Sequence, residues 1–137
     1  MRAVLDTNEY ISAFVFGGPP RQVLMRAEEG EYELVVSAPI REEVERVLAD
    51  KFKWPVERIA VAIDQLWEIA HFVTPQVKIA ASRDETDNRI LECAIESGAA
   101  VIATNDKDLL VLNPFQDVFI LKAHEFLAVL DSLEPRR

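Results

Sequence analysis

Residues 2–8 read Arg-Ala-Val-Leu-Asp-Thr-Asn, and that order decides the fold. A short run of β-prone apolar residues ends on a carboxylate, followed at once by two polar residues, so a strand here breaks at Asp6. Similar runs recur at residues 33–36, 71–73, 100–103 and 118–121, and most of the intervals between them carry helical patterns. The alternation predicts an α/β domain: a parallel sheet with helices on both faces.

The first interval holds the turn signal Gly17-Gly18-Pro19-Pro20 and then a helix over about residues 21–29, closed by Gly30. The second opens after Ser37, a good N-cap, and runs to about Phe52; a further helix fits residues 56–69, with Trp54-Pro55 between the two. A fourth helix starts near Thr86 and stops at Ser97-Gly98, and the last covers about residues 123–133. There is no internal repeat, low-complexity tract or linker. Residues 1–134 are expected to form one domain and residues 135–137, Pro-Arg-Arg, a disordered tail.

A chain of 137 residues buries enough surface to fold without staples. The single Cys93 excludes an intramolecular disulfide and a multi-cysteine zinc site, and His71 and His124 are too few and too isolated for a zinc cluster. No stretch approaches the roughly 18 consecutive apolar residues of a membrane span, and no basic region precedes an apolar leader, so a soluble, cytoplasmic protein is expected. The 24 acidic and 15 basic residues leave a net charge of −9, which argues against a broad basic face that grips nucleic acid. A local basic rim or a bound cation offsets such a charge.

In open α/β sheets the functional crevice lies beyond the carboxyl ends of the strands. Asp6 follows the first strand, Ser37 the second and Asp106 the fourth. On the helix after Ser37, advancing 100° per residue aligns Ile40, Val44, Val47 and Leu48, with Glu43 nearer that stripe than Glu42 or Glu45. The same count sets Asp87 in line with Ile90, Leu91 and Ala94, at the start of a buried stripe where an unpaired carboxylate is costly. Each acid also has a plain structural use. Asp6 can cap a helix, Glu43 can belong to a solvated face, and Asp87 suits a helix N-terminus capped by Thr86 or Asp84. Asp106 and Asp108 flank Lys107 as in an ordinary polar turn. Brought together, however, carboxylates repel one another unless a cation neutralises them, and oxygen-only ligands suit Mg²⁺ or Mn²⁺.

Four motifs now stand in order: Val-Leu-Asp-Thr-Asn at residues 4–8, a Ser-x5-Glu-Val-x2-Val-Leu pattern at 37–48, Asp-x2-Asp-Asn-Arg-Ile-Leu-Glu-Cys-Ala at 84–94, and Thr-Asn-Asp-Lys-Asp-Leu-Leu at 104–110. Together they resemble the PIN-domain family of metal-dependent ribonucleases, in particular its toxin branch from toxin–antitoxin pairs, over nearly the whole chain. The resemblance implies a three-layer α/β/α sandwich around a parallel sheet of four or five strands ordered 3-2-1-4-5. It implies Asp6, Glu43 and Asp87 as central metal ligands and Asp106 as the fourth acid, with Asn8 and Thr104 organising the site and Asp84 and Asp108 outside it. The implied reaction is hydrolysis of single-stranded RNA with Mg²⁺ or Mn²⁺ as cofactor. Arg21, Arg83 and Lys107, nearest the carboxyl-end loops, are candidates for substrate contact.

Family members commonly dimerise and are blocked by an antitoxin peptide laid across the active-site groove. The resemblance thus implies a homodimer and an antitoxin partner, for which Phe14, Phe16, Phe52, Trp54 and Trp67 offer surface beyond the needs of a small core. One departure is Glu9, where the family commonly has an apolar residue: either a surface exception or a fifth acid. Two other acid-bearing α/β enzymes fit less well. A haloacid-dehalogenase-type phosphatase needs an aspartate where Asn8 stands, and a receiver domain needs one ending the third strand, which residues 71–75 lack. The remaining rival is a PIN-like module that binds RNA or protein without turnover.

Overall fold

The structure, a computed structural model, describes residues 1–133. The expected tail at 135–137 lies outside the described residues. In chain order, β1 (Arg2–Leu5) leads to α1 (Thr7–Val15) and α2 (Gly18–Glu28), and β2 (Glu33–Val36) to α3 (Ala38–Asp50) and α4 (Val56–Ile69). Then β3 (His71–Phe72) leads to α5 (Glu85–Ser97), β4 (Val101–Ala103) to α6 (Lys107–Leu110), and β5 (Phe119–Leu121) to α7 (Ala123–Leu133).

The five strands form one sheet, every neighbouring pair parallel, in the order β3-β2-β1-β4-β5. Connections step outward from β1 to β3, then jump back to β4 and β5 on the other side. Right-handed crossovers running in these two directions put their helices on opposite faces. Accordingly α5 lies across β1, β2 and β4, whereas α2 packs on α1 and α7.

Covered on both sides, the central strand is sealed: Ala3, Val4 and Leu5 are all 0% exposed. Tyr10 of α1, Ile90 and Leu91 of α5 and Phe126 of α7 complete the core, each large apolar side chain contributing about 1.5–3 kcal/mol by its removal from water. The expected glycine stops are in place, Gly30 at φ +78° and Gly98 at φ +67°, left-handed conformations that a Cβ would strain.

Two helices go beyond the sequence reading. α1 follows β1 with only Asp6 between them, where the sequence offered no turn to separate strand from helix. α6 is one turn inside the segment read as a polar loop. The third strand is also shorter than expected, two exposed residues at the sheet edge.

Most of the aromatics form a shell packed on the core: Phe14 meets Trp54 at 6.5 Å between ring centres, Trp67 meets Phe72 at 5.3 Å, and the Arg58 guanidinium covers Trp54 at 3.8 Å. Phe16 rests edge-on against Phe52 but stays 74% exposed.

The register matters most for the site. Val4 pairs with Val35 on one side and Ile102 on the other. Two residues further on, Asp6, Ser37 and Thr104 therefore emerge in one row at the carboxyl edge of the sheet. The ladder continues into that row, the Asp6 N–H donating to the Ala103 carbonyl at 3.0 Å and the Thr104 N–H to Leu121 at 2.9 Å.

Candidate active site

Asp6 occupies the N-cap position of α1, yet its carboxylate caps nothing. Instead it accepts a hydrogen bond from the Thr104 hydroxyl at 2.8 Å, both residues being buried. The Thr104 hydroxyl oxygen accepts in turn from the Asp106 N–H at 2.9 Å, so one side chain ties together the ends of β1 and β4. Burial raises the Asp6 carboxyl to about 6; the Thr104 hydroxyl opposes the rise and the charge of Asp106 adds to it. Ser37 likewise stands at the N-cap of α3 without making a side-chain capping bond.

Two other acids do cap helices. Asp84 accepts from the Thr86 N–H at the start of α5, and Asp106 from the Asp108 N–H at the start of α6, each at 2.8 Å. Each cap uses one carboxylate oxygen and leaves the second for another partner. Asp87, in the first turn of α5, is 2% exposed, as the helical phase predicted, and receives the Ser82 hydroxyl at 3.1 Å.

Asp84, Asp87 and Asp106 each bring a carboxylate oxygen within 4.8 Å of the other two. None of the three has a basic partner among the described residues; Arg83, next to Asp84 in sequence, turns to Asp108 at 3.6 Å. The result is stored repulsion: burial, then the Asp106 charge beside it, pushes the Asp87 carboxyl up to about 7. An oxygen-only donor set at this spacing fits a hard divalent cation.

Glu43 is half-buried on α3, as its phase implied, and its carboxylate takes a two-pronged grip on Arg46, at 2.7 and 3.0 Å, outside the group of three. Asn8 and Lys107 are exposed, and Asp108 is partly exposed. Arg83 has an 87% exposed side chain, and Arg21 is exposed on α2, where it lines a separate groove with Phe14 and Leu24.

A groove of about 390 Å³ opens beside Asp106, lined among others by Asn8, Glu9, Asn105, Lys122 and His124. Glu9 is not a surface exception. It is 4% exposed, and burial together with the Asp6 charge raises its carboxyl to about 7.

Lys122 and His124 were missed in the sequence, as was Ser82. A signal for Lys122 existed, since it directly follows β5 just as Asp6 and Thr104 follow their strands. His124 carries no such signal, standing in sequence apart from any other histidine.

Known proteins bear on this arrangement. Ribonuclease VapC4 of Methanocaldococcus jannaschii is 31% identical over 108 residues, covering 79% of each chain. The uncharacterized protein MJ1680 of the same organism is 30% identical over 117 residues, 82% of this chain and 75% of its own. Two solved structures share the fold at low identity. One is VapBC-1 from nontypeable Haemophilus influenzae, with a TM-score of 0.65, 18% identity, and coverage of 90% of this chain and 99% of that one. The other is VapBC2 from Rickettsia felis bound to a DNA fragment from their promoter, with a TM-score of 0.62, 15% identity, and coverage of 88% and 97%. The PIN domain family model matches residues 2–108, a span that holds β1 to β4 and every acid of the cluster, and so the chain belongs to the PIN-domain family.

Proposed function

We propose that this protein is an endoribonuclease that hydrolyses single-stranded RNA with Mg²⁺ or Mn²⁺. Asp6, Glu43, Asp87 and Asp106 hold the ion, and Asn8, Thr104, Asp84 and Asp108 support them. One observation carries the reading: Asp84, Asp87 and Asp106 converge within 4.8 Å at the carboxyl edge of the sheet, with no basic side chain paired to any of them among the described residues. Such a group costs stability unless a cation offsets it.

When bound, a divalent ion lowers the pKa of water and neutralises charge on the phosphate oxygens. The chain's own residues prepare for this. Thr104 fixes the Asp6 carboxylate, Ser82 fixes Asp87, and the caps on α5 and α6 hold Asp84 and Asp106 in place. Glu43 joins once its pair with Arg46 opens; Arg46 is 58% exposed, and such pairs contribute only about 0–1 kcal/mol. Arg21, Arg83 and Lys107 supply positive charge toward the RNA backbone.

The similarity to a named ribonuclease and to VapBC complexes supports a toxin of a toxin–antitoxin pair with an antitoxin protein as partner; a homodimer in the cytoplasm belongs to the same proposal. Incubation of the purified protein with end-labelled single-stranded RNA and Mn²⁺, beside an Asp6→Asn variant and a chelator control, tests the reading. Cleavage that needs Mn²⁺ and falls at least a hundredfold in the variant is expected. Cleavage unaffected by the substitution removes the proposed site, and no cleavage together with no bound metal favours a PIN-like binding module.

A further inference from the structure

Metal binding leaves one residue of this region unexplained. Glu9 is 4% exposed and lines the groove beside Asp106, yet among the described residues no hydrogen bond or ion pair reaches its carboxylate, and the charge acting on it is that of Asp6. An acceptor enclosed there and open only to the groove takes its donors from what the groove holds, water or a ligand.

The groove around it indicates what brings them. Its volume of about 390 Å³ falls in the range of small-molecule sites, about 300–1,000 Å³, and far exceeds the space of one ion. Its lining has three chemical parts. Lys122, exposed at the start of α7, offers a cation; Pro19, Pro20 and the His124 ring offer flat surface; Glu9 offers a buried acceptor. A phosphate, a base face and a base edge have those complements. Asp106 lines the same groove and belongs to the acid cluster, so a nucleotide seated there lies next to the bond to be cut.

Resting on the ribonuclease reading, we infer that this groove seats one nucleotide flanking the cleaved bond and that Glu9 reads its base, favouring guanine. A carboxylate only accepts. The Watson–Crick edge of guanine carries a ring N–H and an amino N–H side by side, which match two carboxylate oxygens as the fork of an arginine does. Adenine and cytosine set a ring acceptor beside their amino donor, and uracil flanks its N–H with two carbonyls, so each meets one carboxylate oxygen with repulsion. A matched two-bond contact discriminates by about tenfold or more.

The first test needs no catalysis. At pH 8, without metal, 5′-GMP, 5′-AMP, 5′-CMP and 5′-UMP are titrated into nitrogen-15-labelled protein while the amide signals of Ser12 and Asn105 are followed. GMP is expected to bind about tenfold more tightly than UMP, and Glu9→Gln, nearly isosteric, to bring the four within about twofold. Lys122→Ala, a change at an exposed residue, is expected to weaken all four alike and keep their order. Equal binding of the four by the wild type, or a GMP preference that survives Glu9→Gln, overturns the inference. Cleavage of a randomised RNA pool with Mn²⁺ separates it from the reading on which it rests. Guanine enrichment at one position beside the cut, lost in Glu9→Gln, supports both; cutting without base bias overturns the base contact alone; and GMP selectivity with an uncut pool supports the nucleotide site while overturning the ribonuclease.

Discussion

Replacing Asp87 by Asn should make the metal-free protein more stable, an effect opposite to that of most substitutions at a buried polar residue. Asp87 is 2% exposed, faces Asp106, and has its carboxyl raised from an ordinary 3.8 to about 7. In the folded state the group therefore holds its proton between about pH 4 and pH 7, where the unfolded chain has released it. Ionisation costs stability progressively as pH rises through that window, and the full cost is present above about pH 7. A shift of this size corresponds to at most about 4 kcal/mol, and partial hydration and screening reduce it to roughly 1–3 kcal/mol. Asn keeps the shape, and its carbonyl oxygen still accepts from Ser82, so the variant escapes the cost. For a chain of this size, roughly 2 kcal/mol moves the melting temperature by about 5–10 °C. Thermal unfolding followed by circular dichroism in chelator should show Asp87→Asn melting higher than wild type at pH 8 and level with it at pH 4. Saturating Mn²⁺ should raise the wild-type melting temperature and leave the variant unmoved. A variant that melts lower than wild type at pH 8 in chelator would refute the argument, since Asp87 would then be compensated within the protein.

Three further outcomes follow from the same contacts. Thr104→Val removes the hydroxyl that serves both Asp6 and the Asp106 N–H, and should cost about 2–3 kcal/mol in urea unfolding at pH 8, with Thr104→Ser restoring most of it. Tyr10→Phe should leave stability unchanged or raise it by about 1 kcal/mol in the same assay, because the Tyr10 hydroxyl is buried with no partner among the described residues. Affinity for Mn²⁺ measured by calorimetry should rise from pH 5 to pH 8 by up to about tenfold per unit for each proton displaced, since Asp6 and Asp87, raised to about 6 and about 7, must release protons to bind. An affinity flat across that range would mean that the ion binds elsewhere.

The strand–helix alternation and the position of the crevice were legible because apolar runs ending in polar residues are local signals, and the carboxyl-end rule turns them into a place; the strand order was implied by the family resemblance alone. The burial of Asp87 was legible too, because helical phase is a property of the sequence alone. What Asp6 does with its carboxylate was not. A residue between a strand and a helix suits a cap, and only the pairing of β1 with β4 sets it against Thr104, 98 residues away. The resemblance implies Asp84 outside the site, and the fold brings its carboxylate within 4.8 Å of those of Asp87 and Asp106, because as the N-cap of α5 it stands one turn before Asp87. For Glu43 the phase gave partial burial but not its grip on Arg46, which depends on rotamers. For Glu9 the sequence leaves a surface exception and a fifth acid both open, because its enclosure comes from elements distant in sequence that share its groove, among them the start of α7.

The central claim is that Asp6, Glu43, Asp87 and Asp106, with Asp84 beside them, hold a divalent cation. Crystals grown with Mn²⁺ and measured for manganese anomalous scattering test it directly. The account predicts a strong peak among the oxygens of these carboxylates that vanishes in Asp87→Asn. A peak bound elsewhere, or none at millimolar Mn²⁺, would contradict it.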